Sequence, residues 1–146
     1  MQLKLSSTKA VTIELKPYEH DESHAGEGFE FSFDYNCHML PKGIDEKRFF
    51  ISFLGEVNSP EEGFCCQVAY MADFSSDEDL PENFITSPFA LVNAPAIAYP
   101  FFRAFLANLM LNAGYKPTLL PSINFVKLAA EKIRDQVSEQ EKISDD

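Results

Sequence analysis

The sequence predicts an α+β domain in which a four-stranded antiparallel sheet precedes two helices. Apolar residues alternate with polar ones through the first half of the chain, and the spacing becomes helical in the second half. Strands followed by helices are typical of a sheet that carries its helices on one face. The length of 146 residues suits one domain whose core needs no disulfide or metal. We expect this domain to cover residues 1–137 and to end in a disordered acidic tail over residues 138–146.

Four strand-like segments come first, at Leu3–Leu15, Phe29–Met39, Phe49–Val57 and Phe64–Phe74. The second segment shows the pattern most clearly, because the residues at its odd positions are Phe29, Phe31, Phe33, Tyr35, Cys37 and Met39. Polar side chains stand between them. This alternation predicts a strand with one buried face and one solvent-exposed face.

Two helices follow the strands. The first is predicted over Ile97–Ala113. Gly114 would end it in the left-handed backbone conformation, and Pro117 follows just beyond. Asn124 can cap the second helix, whose apolar stripe consists of Phe125, Leu128, Ala129 and Ile133.

The first helix is apolar nearly all round, so one sheet cannot cover it. A second subunit would bury the face that remains. We therefore expect a homotetramer with these helices inside and with an interface formed by Phe102, Phe105, Leu106 and Leu109.

The charge balance limits the partners. The formal net charge is −11, from 23 acidic and 12 basic residues. This charge repels nucleic acid and anionic membrane surfaces, and it suits basic partners. The apolar segment Ala94–Leu111 is interrupted by Pro95, Pro100 and Arg103, which favours a buried helix over direct insertion into a membrane.

The cysteines and the start of the chain suggest a cytoplasmic protein. The cysteines number three, Cys37, Cys65 and Cys66, and no C-x-x-C motif is present. Adjacent strand residues point to opposite faces, so Cys65 and Cys66 are poorly placed to pair. Reduced thiols in a cytosolic compartment are the simplest interpretation. Met1–Leu5 lacks the apolar run of a signal peptide.

No catalytic or metal-binding constellation emerges from the sequence. His20-Asp21-Glu22-Ser23-His24 has the histidine spacing of a zinc protease, but Asp follows the first histidine and the context is a polar loop. Cys37 and His38 are neighbours on a strand and cannot meet. The acidic run Asp77–Asp79 lacks the ligand spacing of a calcium loop. We expect no enzyme activity, no metal and no cofactor.

Aromatic residues are abundant, with 14 Phe and 5 Tyr. Most of them suit a Phe-rich core. Several others fall in predicted loops or on second faces, namely Phe50, Phe84, Phe89, Tyr115 and the pair Leu119-Leu120. Simple packing and an adaptable contact surface both stay open for these residues.

Two motifs in the second half resemble the SecB family of protein-export chaperones. They are N-A-P-A-I-A-Y-P-F-F-R (Asn93–Arg103) and G-Y-K-P-T-L-L-P-S-I-N-F (Gly114–Phe125). The resemblance is strong over Asn93–Gln136. It is weaker but collinear through F-C-C-Q-V (Phe64–Val68) and T-K-A-V-T-I-E (Thr8–Glu14).

The resemblance implies a dimer of dimers with the first helices packed between two sheets. It also implies ATP-independent binding of unfolded polypeptides in apolar grooves. The client-binding positions carried over from the family are Tyr70, Phe74, Tyr115, Leu119, Leu120 and Phe125, of which Phe125 could instead anchor the second helix.

The resemblance also points to a surface for the SecA translocation motor. The matching positions are Ala10, Glu14, Cys65 and Gln67, where the family pattern has acid, acid, leucine and acid. Only Glu14 matches, so we expect weak coupling to the motor.

Three functions remain compatible with the sequence. The first is an export or general chaperone, and the second is a SecB-like chaperone dedicated to one client, such as an antitoxin. The third is an assembly or adaptor module that uses the same fold without chaperone activity.

Overall fold

The structure is a computed structural model that describes residues 1–19 and 28–144. Its four strands are β1 (Leu3–Pro17), β2 (Glu30–Met39), β3 (Arg48–Ser59) and β4 (Phe64–Ser76). They form one antiparallel sheet in the order β1-β4-β3-β2, so β1 and β2 are the edges. The predicted α+β class and all four strands are confirmed.

The first long helix begins earlier than the sequence predicted. A π-helical turn at Phe89–Asn93 leads directly into α1, which spans Ala94–Asn112. Pro95 lies in the first turn of α1, a position where helices commonly carry proline. Pro100 lies inside the helix.

The second helix extends further than predicted. Helix α2 spans Phe125–Ser144, so residues 138–144 are helical and the expectation of a disordered tail is wrong for them. Glu, Gln and Lys are good helix formers, and Lys142 lies in the last turn, where the helix dipole favours a cation. Acidic composition alone is therefore a poor sign of disorder here. The last two residues, 145–146, lie outside the described chain.

Helix α1 covers one face of the sheet, and one of its side chains packs directly over Gly55. The ring of Phe102 occupies the space that a side chain at Gly55 would need. Phe102 is fully buried, and its ring centroid lies 5.5 Å from those of Phe53 and Tyr70 and 6.0 Å from that of Phe33. Each such aromatic pair contributes about 0.5–1.5 kcal/mol beyond area burial. The contact between Phe102 and Gly55 therefore sets where the helix lies on the sheet.

This contact gives a testable prediction. A methyl group at Gly55 would overlap Cζ of Phe102, and the ring is enclosed on its other sides. Gly55→Ala should lower the free energy of unfolding by about 1–3 kcal/mol, as overpacking does in other cores. Chemical denaturation followed by circular dichroism measures this change.

A double variant provides the control. Phe102→Leu shortens the side chain that clashes, so Gly55→Ala should be less harmful in that background. If Gly55→Ala lowers the free energy of unfolding by the same amount in both backgrounds, the proposed clash between residue 55 and Phe102 is wrong.

Candidate functional site

A groove of about 520 Å³ runs between the edge strand β2 and helix α2. Its apolar lining comes from β2, from the segment before α1 and from α2, through Phe33, Tyr35, Cys37, Ile85, Leu91 and Leu128. The alternation of β2 explains the floor, since Phe33, Tyr35 and Cys37 share one face of the strand. An apolar floor with this volume suits side chains of a bound polypeptide.

Two tyrosines fix the position of α2 beside the sheet. Tyr35 Oη donates a hydrogen bond of 2.7 Å to the carbonyl of Leu91, and Tyr99 Oη donates one of 2.7 Å to the carbonyl of Pro121. Phe125, the first residue of α2, packs its ring edge-on against both tyrosines, at centroid distances of 5.2 and 5.8 Å. The beginning of α2 is therefore held firmly, and the width of the groove follows from this anchor.

The α2 wall of the groove is acidic. Glu131, Asp135 and Glu139 lie four residues apart and line one side of the helix. None of them has an ion-pair partner among the described residues. Lys132 crosses from α2 to β2, where its Nζ lies 2.9 Å from Oδ1 of Asp34 and 4.6 Å from the centroid of the Tyr35 ring. The groove is thus apolar at its floor and negative along one wall.

The strand side of the groove adds hydrogen-bonding capacity. Because β2 is an edge, every second residue of it points its N–H and C=O away from β3. Such an edge can pair with an extended polypeptide, whose alternate side chains then enter pockets beside it. Main-chain pairing, an apolar floor and a negative wall together fit a polypeptide segment without regular structure.

The six client-binding positions inferred from the resemblance do not form one exposed groove. Four of them are buried within the subunit, namely Tyr70, Phe74, Leu120 and Phe125. Tyr115 is half-buried against Phe64, with ring centroids 4.8 Å apart. Leu119 is 83% exposed and lies beside a second, smaller cavity with Phe29. The structure thus supports Phe125 as a core anchor and leaves Leu119 as the accessible member.

The four positions assigned to a motor surface lie on opposite faces of the sheet. Glu14 pairs with Gln67, and Cys65 lies on the same outer face. Ala10 pairs with Tyr70 and therefore faces α1, so its assignment to the outer surface is wrong. The cause is a β-bulge between Ala10 and Thr12, which shifts the alternation of β1 by one residue.

The interface positions predicted on α1 all lie on the side of the helix that packs against the subunit's own sheet. Phe102 and Leu106 are buried there, and Phe105 and Leu109 are partly buried against the same core. The outward face presents other apolar side chains, Ile97, Phe101 and Leu111, which are 41%, 51% and 60% exposed. By length and composition the stretch Phe89–Asn112 could cross a membrane, and 44% of the 18-residue apolar window within it is buried inside the structure.

Among residues 1–19 and 28–144, no group of His, Cys, Asp and Glu is placed to hold a metal ion. The His20–His24 motif lies outside the described residues. Cys37 and His38 point to opposite faces of β2, as expected, and His38 Nε2 lies 2.8 Å from Ser52 Oγ. Burial raises the pKa of the Cys37 thiol to about 12 and that of Cys66 to about 11, which makes both poor nucleophiles.

The residues that close the groove could not be predicted from the sequence. Asp34 and Lys132 are 98 residues apart, and Ile85 comes from the loop before α1. Glu131, Asp135 and Glu139 can be seen in the sequence to share one face of a helix. Nothing near them in the sequence indicates that this face turns toward β2.

Comparisons with known proteins point to one family. The family described as "SecB: Preprotein translocase subunit SecB" matches residues 30–136. The protein-export protein SecB of Neorickettsia sennetsu is 28% identical over 114 residues, which cover 70% of this chain and 68% of that protein. The SecB of Anaplasma phagocytophilum is 31% identical over 74 residues, 49% of this chain and 46% of that protein.

A solved structure has the same fold. It is the SecB-like chaperone of Mycobacterium tuberculosis in complex with a peptide from the HigA1 antitoxin. The match covers 84% of this chain and 88% of that one, with a TM-score of 0.62 and 12% identity.

The tyrosines that hold α2 predict a response to alkaline pH. Burial raises the pKa of Tyr35 and of Tyr99 from 10.0 to about 12, and the Asp34 carboxylate adds to the effect at Tyr35. The folded state favours the neutral phenols, so their contribution to stability is complete below about pH 10. It is lost as the pH rises from about 10 to about 12.

Tyr35→Phe and Tyr99→Phe test this expectation. Each variant leaves a carbonyl without its donor and should cost about 1–2 kcal/mol at neutral pH. The double variant should show a shallower decline in the free energy of unfolding above pH 10, measured by urea titration at each pH. A decline as steep as that of the wild type would contradict a role for these phenols.

Proposed function

The chain belongs to the SecB family, and on this premise we propose that it is an ATP-independent holdase that keeps unfolded polypeptides competent for export. The observation that supports this most directly is the groove between β2 and α2. It combines an apolar floor with a strand edge that no other described strand pairs with, which suits segments that have not folded. Binding of this kind needs no chemical step.

A second candidate is a chaperone dedicated to one client. The fold relative from Mycobacterium tuberculosis holds a peptide of an antitoxin, and a groove of the present kind would serve such a client equally well. The two functions differ in selectivity. A general holdase would bind many denatured proteins with similar affinity, whereas a dedicated one would prefer a single partner encoded nearby.

Coupling to the SecA motor is proposed to be weak. On the outer sheet face Glu14 is flanked by Lys16, and its cross-strand partner is the neutral Gln67. This mixed surface gives a basic partner little charge complementarity. The reduced thiols of Cys37, Cys65 and Cys66 suit a cytoplasmic location.

We further propose that the protein assembles as a homotetramer through the outward face of α1. Ile97, Phe101 and Leu111 form an apolar stripe along that face, and Ile13 on the edge strand β1 is 51% exposed on the same side of the sheet. A stripe of this length would be an unfavourable surface in water unless another subunit covered it.

The assembly predicts the effect of one charge on α1. Phe101→Asp would place an unpaired carboxylate in the interface, so the tetramer should dissociate into smaller species while each subunit stays folded. Light scattering after size-exclusion chromatography measures the mass. Leu119→Asp, at a more exposed site away from α1, should leave the mass unchanged. A wild-type protein that is monomeric at micromolar concentration would contradict the assembly.

Holdase activity has its own test. A modest excess of the protein should delay the aggregation of a chemically denatured client without nucleotide. Ile85→Asp places a charge in the apolar lining of the groove and should weaken client binding about tenfold. Aggregation followed by light scattering and binding followed by fluorescence anisotropy give the two readouts.

Ile44→Asp is the matched control, because Ile44 is 68% exposed and does not line the groove. It should behave as the wild type does. Equal losses in both variants would argue against the groove as the binding site, and an unchanged course of aggregation with excess wild-type protein would contradict the holdase.

A further inference from the structure

Lys132 is the single cation among the described residues that line the groove. Four carboxylates share that lining, from Asp34, Glu131, Asp135 and Glu139. Lys132 is also more enclosed than the residue it pairs with, since its side chain is 23% exposed and that of Asp34 is 61% exposed. A lysine held inward, away from water, is unusual for this residue type.

The ammonium group of Lys132 lies between two groups that both favour a cation. It is 2.9 Å from Oδ1 of Asp34, within hydrogen-bond distance, and 4.6 Å from the centroid of the Tyr35 ring. A carboxylate and an aromatic face together bind guanidinium and ammonium groups well. The Asp34 carboxylate and the Tyr35 ring could therefore bind a cation from another chain in the same way as they bind the ammonium group of Lys132.

We propose that Asp34 and Tyr35 form a subsite for an arginine or lysine side chain of a bound polypeptide, and that Lys132 occupies this subsite in this structure. The inference rests on the proposed function of the groove and adds a determinant of selectivity to it. An incoming cation would displace Lys132 and take over its ion pair and its ring contact. Asp135, one turn further along α2, lies within reach of the displaced ammonium group.

The subsite distinguishes between polypeptide segments that the rest of the groove treats alike. The apolar floor of Phe33, Leu91 and Leu128 discriminates by size and hydrophobicity, and main-chain pairing along β2 does not depend on side chains. A neutral side chain that displaced Lys132 would leave the Asp34 carboxylate without its partner. The preference of the groove for a cationic side chain therefore depends on Asp34 and Tyr35. Lys132 reduces this preference, because it competes with the client's side chain for the same subsite.

The test uses two short fluorescein-labelled peptides in which leucine alternates with serine. The central residue is arginine in one peptide and glutamine in the other. Lys132→Met removes the competing cation but keeps an unbranched apolar side chain that can cover Tyr35. We expect this variant to bind the arginine peptide about three- to tenfold more tightly than the wild type does. Its affinity for the glutamine peptide should change by less than about twofold.

Three control variants separate the subsite from a change in net charge. Lys127→Met removes an exposed lysine of α2 that does not line the groove, and it should not favour the arginine peptide. Lys132→Arg keeps a cation in place and should behave as the wild type does. Asp34→Asn, combined with Lys132→Met, should abolish the gain for the arginine peptide.

The outcomes are distinct. Tighter binding of both peptides by the same factor, or weaker binding of the arginine peptide by Lys132→Met, would overturn the subsite. If the wild type binds a denatured client but the Lys132→Met variant shows no preference for arginine, the subsite fails and the holdase stands. If the wild type binds neither the peptides nor a denatured client, the proposed function fails as well.

Discussion

The placement of Phe102 against Gly55 is the contact on which the rest of the structure depends. It lets α1 lie close to the sheet at one point and fixes the rotation of the helix about its axis. With Phe102 inward, Tyr99 points toward β2 and Phe101 points outward. Tyr99 then holds the connection before α2 through its bond to the Pro121 carbonyl. The position of α2, and with it the width of the groove, therefore follows from how one aromatic ring fits over one glycine.

Among the described residues, the outward face of α1 and the groove beside β2 are two exposed apolar regions with different consequences. The outward face of α1 presents Ile97, Phe101 and Leu111 on a regular helix, which another helix or sheet can cover. The groove beside β2 has a negative wall and an edge strand that no other described strand pairs with, so an extended segment suits it better than a folded surface does. One region favours permanent assembly and the other favours reversible binding. The proposed chaperone would use both, with assembly through α1 leaving the grooves beside β2 for clients.

Much of the fold could be predicted because local patterns determine it. The alternation in β2 placed Phe33 and Tyr35 on the buried face, and this is confirmed. The apolar residues of β1 fall at odd positions, but Ser7 and Lys9 are polar residues at odd positions, and they mark the segment between two bulges in which Ala10 turns inward. The groove could not be predicted in this way. It depends on the contact between Lys132 and Asp34, which are 98 residues apart in the sequence. This contact results from the way α2 packs beside the sheet, and no local sequence pattern indicates it.

Hydrogen exchange of the protein, with and without a permanently unfolded client, tests the central claim most directly. Edge-strand amides exchange readily unless another strand pairs with them. If the groove binds clients as extended segments, saturating client should slow exchange along Glu30–Met39 and at the beginning of α2, and should leave the outer edge strand Leu3–Pro17 unchanged. Slower exchange confined to Leu3–Pro17, or no change along Glu30–Met39, would contradict the account.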